Sequence, residues 1–113
     1  MKMTYPVREV YKVLDGDTVD IRIDLGFDVM LRARIRMLGV DAPELSGATK
    51  AAGVAAQQWL KGVLQRNAAS LQVITTKVDG DDKYGRILGT FICDRGNINQ
   101  ALVLEGHGVP YKI

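Results

Sequence analysis

The chain has 113 residues, of which 25% are charged and 47% hydrophobic, with a formal net charge of +2 and one cysteine. That suffices for one domain with its own core and is too short for two. A lone Cys93 excludes an internal disulfide and a cysteine zinc cluster, and so small a net charge neither demands nor excludes a nucleic-acid partner.

The N-terminal "MKMTYPVREVYKV" has no apolar leader segment, and no later stretch approaches the length of a membrane span. The expected setting is cytoplasmic (that of a host cell if the chain is virus- or plasmid-encoded), with no membrane partner. Residues 5–14 mix Tyr and Val with charged residues, as a half-exposed strand does. "DGDT" breaks it, Asp15-Gly16 reading as a hairpin turn. In "TVDIRIDL", Val19, Ile21, Ile23 and Leu25 alternate with Asp20, Arg22 and Asp24, a strand with one buried face. "GFD" turns the chain into "VMLRARIRM", which alternates again, with Arg32, Arg34 and Arg36 on one face. For Arg32 and Arg34 a solvated sheet face is the simpler reading.

A helix is predicted in "AAGVAAQQWLKGVLQRN". Ala52, Ala56, Trp59, Leu60, Val63 and Leu64 form its apolar side, and Gln57, Gln58, Lys61 and Gln65 its polar side. Thr49 suits its N-cap and Asn67 its end, while Gly53 and Gly62 each weaken it by roughly 1 kcal/mol relative to Ala. "SLQVITTKV" and "RILGTFICD" read as strands around the polar turn "DGDDKYG". "NINQALVLEG" reads as a short helix capped by Asn97 and Gln100 and stopped by Gly106, and "HGVPYKI" as irregular. Five strands with a helix between the third and fourth give a β-barrel plus helices (α+β). The order is that of a five-stranded OB-fold with a short C-terminal helix, one domain over residues 1–113; a small α+β sandwich would give a similar order.

The chemistry concentrates in acids at strand ends. Asp17 has the parity of Val19 and Ile21, so it points to the barrel side, where a carboxylate needs a cation or donors. In "MLGVDAPE" an apolar run delivers Asp41 and, past the stiffening Pro43, Glu44. Oxygen ligands suit Ca²⁺ or Mg²⁺ rather than zinc. "DGDDKYG" fails as an EF-hand because Tyr84 takes the glycine position and Thr90 the final glutamate position. Lys83, Tyr84 and Arg86 still form a donor set suited to phosphate oxygens. His107, just past a helix end, Cys93 in a strand and Trp59 on the apolar helix face read as structural. No P-loop is present.

"LDGDTVDIRI", "RIRMLGVDAPE", "DKYGR" and "NINQALVLEGHG" occur in the order and spacing of the staphylococcal nuclease (thermonuclease) family, which the chain resembles from about residue 10 to about residue 111. The resemblance implies an OB-fold nuclease that uses Ca²⁺ to hydrolyse phosphodiester bonds of DNA and RNA, within chains and from their ends. Single- and double-stranded DNA and RNA are the implied substrates, with the P–O5′ bond broken and a 3′-phosphate left. It implies that Asp17, Asp41 and the carbonyl of Ala42 hold the metal, and that Glu44 orients or activates the attacking water. Arg36 and Arg86 would bind the scissile phosphate, and Lys83 and Tyr84 the neighbouring one.

Ala42 stands where well-known members have threonine, and the segment after Glu44 is shorter and less basic. The sequence stops at Ile113 where the well-known member continues into another helix, and Tyr111 stands for a tyrosine pair, out of register by about one residue. A minimal barrel, monomer or weak dimer, is the expectation. The alternative from another class is a non-catalytic OB module that binds single strands or a protein partner. Such a binder would show aromatics on its strand faces, and aromatics are only 6% of this chain.

Overall fold

The structure, a computed structural model, describes residues 2–75 and 84–111. β1 (Met3–Asp15) is long enough to serve two neighbours. Its first residues, Met3 to Pro6, pair antiparallel with β5 (Gln72–Thr75), and the rest pairs antiparallel with β2 (Thr18–Asp24) through three register shifts. Such irregularities bend and coil a strand, which lets one sheet curl on itself. β3 (Met30–Met37) follows β2 as a hairpin, and β6 (Ile87–Cys93) follows β5. A parallel pairing of β3 with β6, Ile35 beside Ile87 and Met37 beside Gly89, closes the barrel. The order β3-β2-β1-β5-β6 with that closure is the expected OB-fold, extended by the short β7 (Gly96–Asn97).

Inside, Val19, Ile21, Ile23, Ile35, Met37, Val73 and Phe91 are buried to about 1% exposure or less. The period-2 pattern of "TVDIRIDL" and the second half of "VMLRARIRM" thus faces the core as predicted. The tip of that hairpin does not. Leu25, Phe27, Val29, Met30 and Leu31 are exposed because the β2–β3 ribbon overhangs the barrel; Phe27 and Asp28 turn it in left-handed backbone conformations.

α1 (Lys50–Arg66) seals the barrel with Gly53, Ala56, Leu60 and Leu64, while Trp59 and Val63 pack at its margin. Two predicted faces shift. Ala52 is exposed, and Gln57 is half-buried, its amide donating to the carbonyls of Val13 and Leu14. The helix therefore sits rotated toward the Gly53 side, which its glycine permits. α2 (Ile98–Leu104) is capped as expected, Asn97 Oδ1 accepting from Gln100 N.

The final segment is not irregular throughout. Val109–Pro110, β8, pairs antiparallel with β4 (Val40–Asp41), a two-residue strand too short to leave a periodic signal. His107 packs against Trp59 with ring centroids 5.5 Å apart, in keeping with a structural role. Cys93 is partly buried against the core. The turn read at residues 79–85 lies outside the described residues except for Tyr84 and Gly85. No described helix is long and apolar enough to cross a membrane.

Candidate active site

Asp17 occupies the two-residue turn between β1 and β2, and the glycine before it explains its position. A Cβ on Gly16 would stand 2.7 Å from the Cβ atoms of both Ala42 and Ala56. Gly16 is thus needed for space rather than for a positive φ. The turn nests between the β4 exit and α1, and Asp17 is carried to Ala42. Its carboxylate, only 6% exposed, accepts from Ala42 N at 2.8 Å through Oδ2 and from Thr18 Oγ1 at 3.0 Å through Oδ1. Burial with these donors is how a carboxylate is kept where water does not reach it. Asp15, beside it, accepts from Asp17 N. Its own burial, then Asp17 next to it, pushes its carboxyl up to about 6.

Asp41 arrives from β4 and is 51% exposed at its side chain. Arg36, the last arginine of β3, lies between the two acids. Its Nη1 stands 3.5 Å from Asp17 Oδ2 and donates to the carbonyl of Met37 at 2.9 Å, and its Nη2 donates to Asp41 Oδ1 at 3.2 Å. Arg36 is 7% exposed. Two carboxylates and one guanidinium leave one net negative charge in a half-enclosed place. Tyr111 stands over this group, its ring centroid 5.8 Å from the Arg36 guanidinium carbon. Tyr111 N donates to Gly39 O, which extends the β4–β8 pairing across the turn that delivers Asp41.

Glu44 lies past Pro43 and is exposed. It does not join Asp17 and Asp41 in a metal-binding cluster; among the described residues no three His, Cys, Asp or Glu side chains do so. Its main chain is nevertheless fixed. Thr49 Oγ1 donates to Glu44 O at 2.9 Å, and Gly53 packs directly beneath the same carbonyl. Thr49 thus sits at the N-cap of α1 but makes no side-chain cap bond, its hydroxyl being committed to the "DAPE" loop.

Arg86 stands just before β6, its guanidinium 5.0 Å from the centroid of the Tyr84 ring. The in-step β3–β6 pairing aligns it with Arg34, one residue before the Ile35–Ile87 pair. Lys83 lies outside the described residues. The structure thus brings Asp17, Asp41, Ala42, Arg36 and Tyr111 together, with Glu44 held on the adjoining loop.

Positional supports were missed in the sequence: Gly16, Thr18, Thr49, Gly53 and Asn99. Asn99 is buried at 3% exposure. It accepts from Phe91 N and donates to the carbonyls of Leu38 and Gly89, tying α2 and β6 to the turn before Asp41. A glycine inside an otherwise helical pattern was the available signal for Gly53.

An OB-fold barrel with two acids and an arginine gathered at one end defines the class of the protein. A sequence model described as "Staphylococcal nuclease homologue" matches residues 34–113, and the chain belongs to that family. It is 33% identical to Protein ParB of Escherichia coli over 92% of this chain and 56% of that protein. Identity is 34% to Micrococcal nuclease of Shigella flexneri over 92% of this chain and 58% of that protein. It is 35% to Endonuclease YhcR of Bacillus subtilis (strain 168), over 92% of this chain and 9% of that protein. The chain spans just over half the length of the first two and about a tenth of the third.

Proposed function

We propose that the chain is a Ca²⁺-dependent nuclease that hydrolyses phosphodiester bonds of DNA and RNA at P–O5′, leaving 3′-phosphates. The observation that carries the reading is the convergence of Asp17 and Asp41 on Arg36, with a third carboxylate, Glu44, anchored apart from them. The nuclease names of two relatives point the same way.

The donor set fits a hard cation, since it offers carboxylate and carbonyl oxygens with no thiolate or imidazole. A carboxylate offers about four lone-pair sites. Asp41 gives one oxygen to Arg36, and Asp17 has capacity beyond Thr18 and Ala42 N. Asp17, Asp41 and the carbonyl of Ala42 are the residues that would hold Ca²⁺. When bound it supplies polarisation of a phosphoryl oxygen and neutralisation of charge.

The chain's own residues do the rest. Arg36 is held in one orientation by Met37 O and Asp41, and its remaining N–H groups bind an equatorial phosphoryl oxygen; Arg86 binds another as charge builds. Glu44, on its braced loop, takes a proton from the attacking water. The water oxygen bonds to phosphorus, the P–O5′ bond breaks, and the 5′-oxygen leaves as a hydroxyl, taking its proton from solvent water, while Glu44 returns its own proton to solvent. Tyr84 and Lys83 bind the next phosphate, and Tyr111 walls the site beside Arg36.

The test is digestion of single-stranded DNA with Ca²⁺ and with excess chelator, followed by end-group analysis. Calcium-dependent products with 3′-phosphate ends are expected. Binding without cleavage in saturating Ca²⁺ would replace this reading with that of a non-catalytic OB module.

A further inference from the structure

Away from the acids, the tip of the β2–β3 hairpin is an apolar projection. Leu25, Phe27, Val29, Met30 and Leu31 are all exposed there, Phe27 wholly so. The tip is not a loose loop. Leu25 N donates to Val29 O at 2.8 Å, Val29 N to Gly26 O at 2.9 Å, and Gly26 N to Asp24 Oδ1 at 2.8 Å. Phe27 and Asp28 are held in left-handed backbone, φ 56° and 61°, a conformation that bulky side chains seldom take. The turn thus presents a fixed apolar knob with the Asp28 carboxylate beside it.

A groove of about 680 Å³ lies between α1 and α2. Trp59 and Val63 of α1 and Ile98 and Ala101 of α2 line it with apolar surface, and Arg66 and Arg95 with cations. Arg66 folds back along α1, its Nη1 2.9 Å from where a Cβ on Gly62 would stand. Leu104, one turn beyond Ala101 on α2, adds an exposed apolar side chain at the margin. Glu105 is the groove's carboxylate, which leaves one net positive charge. Among the described residues neither Arg66 nor Arg95 has a carboxylate within ion-pair distance, and Asp28 has no cation there.

Knob and groove match in shape and in sign. The groove lies within the range of about 300–1,000 Å³ that encloses a compact apolar body, so it has room for the Phe27 ring with Leu25 or Val29 beside it. Phe27 against Trp59 makes an aromatic pair, and Asp28 meets the arginines. Pairing tip to tip would instead set Asp28 against its own copy.

We propose that the hairpin knob of one copy seats in the α1–α2 groove of a second copy, a head-to-tail contact. Each copy keeps one free knob and one free groove, so the contact extends into short chains as concentration rises rather than stopping at a symmetric pair. It uses none of the residues assigned to phosphodiester cleavage and stands whether or not the chain is a nuclease.

The test is sedimentation over a concentration series reaching roughly 1 mM, on wild type, Phe27→Asn, Asp28→Asn and the double variant Arg66→Glu with Arg95→Glu. Asn tolerates left-handed backbone and both arginines are exposed, so the variants should melt as wild type does.

Wild type should self-associate, its average mass rising past that of a dimer. Phe27→Asn and the arginine variant should each associate at least about tenfold more weakly. Asp28→Asn keeps the turn and the ring; it should weaken association and reduce its salt dependence. An equimolar mixture of Phe27→Asn and the arginine variant remains as weak as either alone if Arg66 and Arg95 are needed only in the groove that receives the intact knob, and Phe27→Asn supplies that groove: a one-to-one pair, with nothing larger, is therefore the expected product. Cys93, which lines the groove, should react more slowly with a thiol reagent in concentrated wild type than in dilute. A monomeric wild type at the highest concentration overturns the proposal. So does unchanged association in Phe27→Asn or in the arginine variant, or a mixture that forms no mixed pair.

Discussion

Gly53 of α1 lies directly under the main chain of Glu44. A Cβ at Gly53 would stand 2.7 Å from the Glu44 carbonyl carbon and 2.9 Å from Pro43 O. Real side chains do not approach backbone so closely, so the loop carrying Glu44 rests on the helix only because this residue is glycine. In sequence, Gly53 reads as a local weakness of the helix; in the fold it is the seat of the proposed base.

Gly53→Ala should therefore separate two effects. Helix propensity alone would favour Ala by roughly 1 kcal/mol, whereas forcing atoms into a filled space costs about 1–3 kcal/mol. The loop is expected to lift, displacing Glu44. A displacement of this kind can cost about 10²-fold in rate, so kcat on single-stranded DNA should fall far more than Ca²⁺ affinity. A more stable variant with full activity would show that Glu44 needs no such seat.

Asn99 offers a second test away from the acids. Its amide serves Phe91 N, Leu38 O and Gly89 O at once. Asn99→Ala leaves buried backbone groups unpaired, at about 1–3 kcal/mol for each group that water cannot reach. Urea unfolding should show a clear loss of stability with the slope unchanged. Activity at saturating Ca²⁺ should fall further than the folded fraction does, since the Leu38 turn leads to Asp41. A loss of stability alone would make Asn99 purely structural.

The pair Asp20–Arg34 predicts a pH dependence. The hydrogen bonds from Arg34 hold the Asp20 carboxyl below its ordinary value. The folded state therefore binds the proton less readily than the unfolded chain. Stability from this pair is fully present above the unfolded carboxylate value of about 3.9. It is lost as pH falls through the lowered folded value. Asp20→Asn should flatten the acid limb of a thermal-stability profile below about pH 4 and leave the shape near neutrality unchanged. An unaltered acid limb would show the pair to be screened by solvent.

How far the sequence disclosed this molecule depends on the range of each interaction. The barrel was legible because Val19, Ile21, Ile23 and Ile35 alternate locally and are buried as that alternation requires. The acids were legible because Asp17 and Asp41 sit at strand ends within recognisable motifs. The β4–β8 pairing was not, since two residues carry no period. Neither were Gly16 and Gly53, whose role is to leave room beside Ala42, Ala56 and Glu44, partners distant in sequence. Arg34 also changes meaning. On the strand alone it is one of three surface charges, and only the fold adds Asp20 across the hairpin and Arg86 across the barrel seam.

The proposed roles divide most sharply between Glu44 and the two aspartates. With two carboxylates and a carbonyl from the protein, Ca²⁺ affinity without substrate should fall near the weak end of the protein range, about 10⁻⁴–10⁻³ M. A nucleotide bisphosphate should tighten it. Asp17→Asn and Asp41→Asn should weaken the metal first, and part of their activity should return at high Ca²⁺. Asp17→Asn should also lose stability, because Ala42 N and Thr18 Oγ1 are built to donate to a carboxylate. Glu44→Gln keeps shape and loses basicity. It should lower kcat by a factor on the order of 10²–10⁴ and leave Ca²⁺ affinity little changed, because Glu44 stands outside the Asp17–Asp41 pair. Arg86→Ala should cost about 10²–10³ in rate, with lysine a poor replacement because it lacks the planar fork. Activity against a Ca²⁺ titration for all four variants is the measurement. A Glu44→Gln variant rescued by Ca²⁺ would make Glu44 a ligand and remove the base from the mechanism. Full activity in all four would move the chemistry away from this end of the barrel.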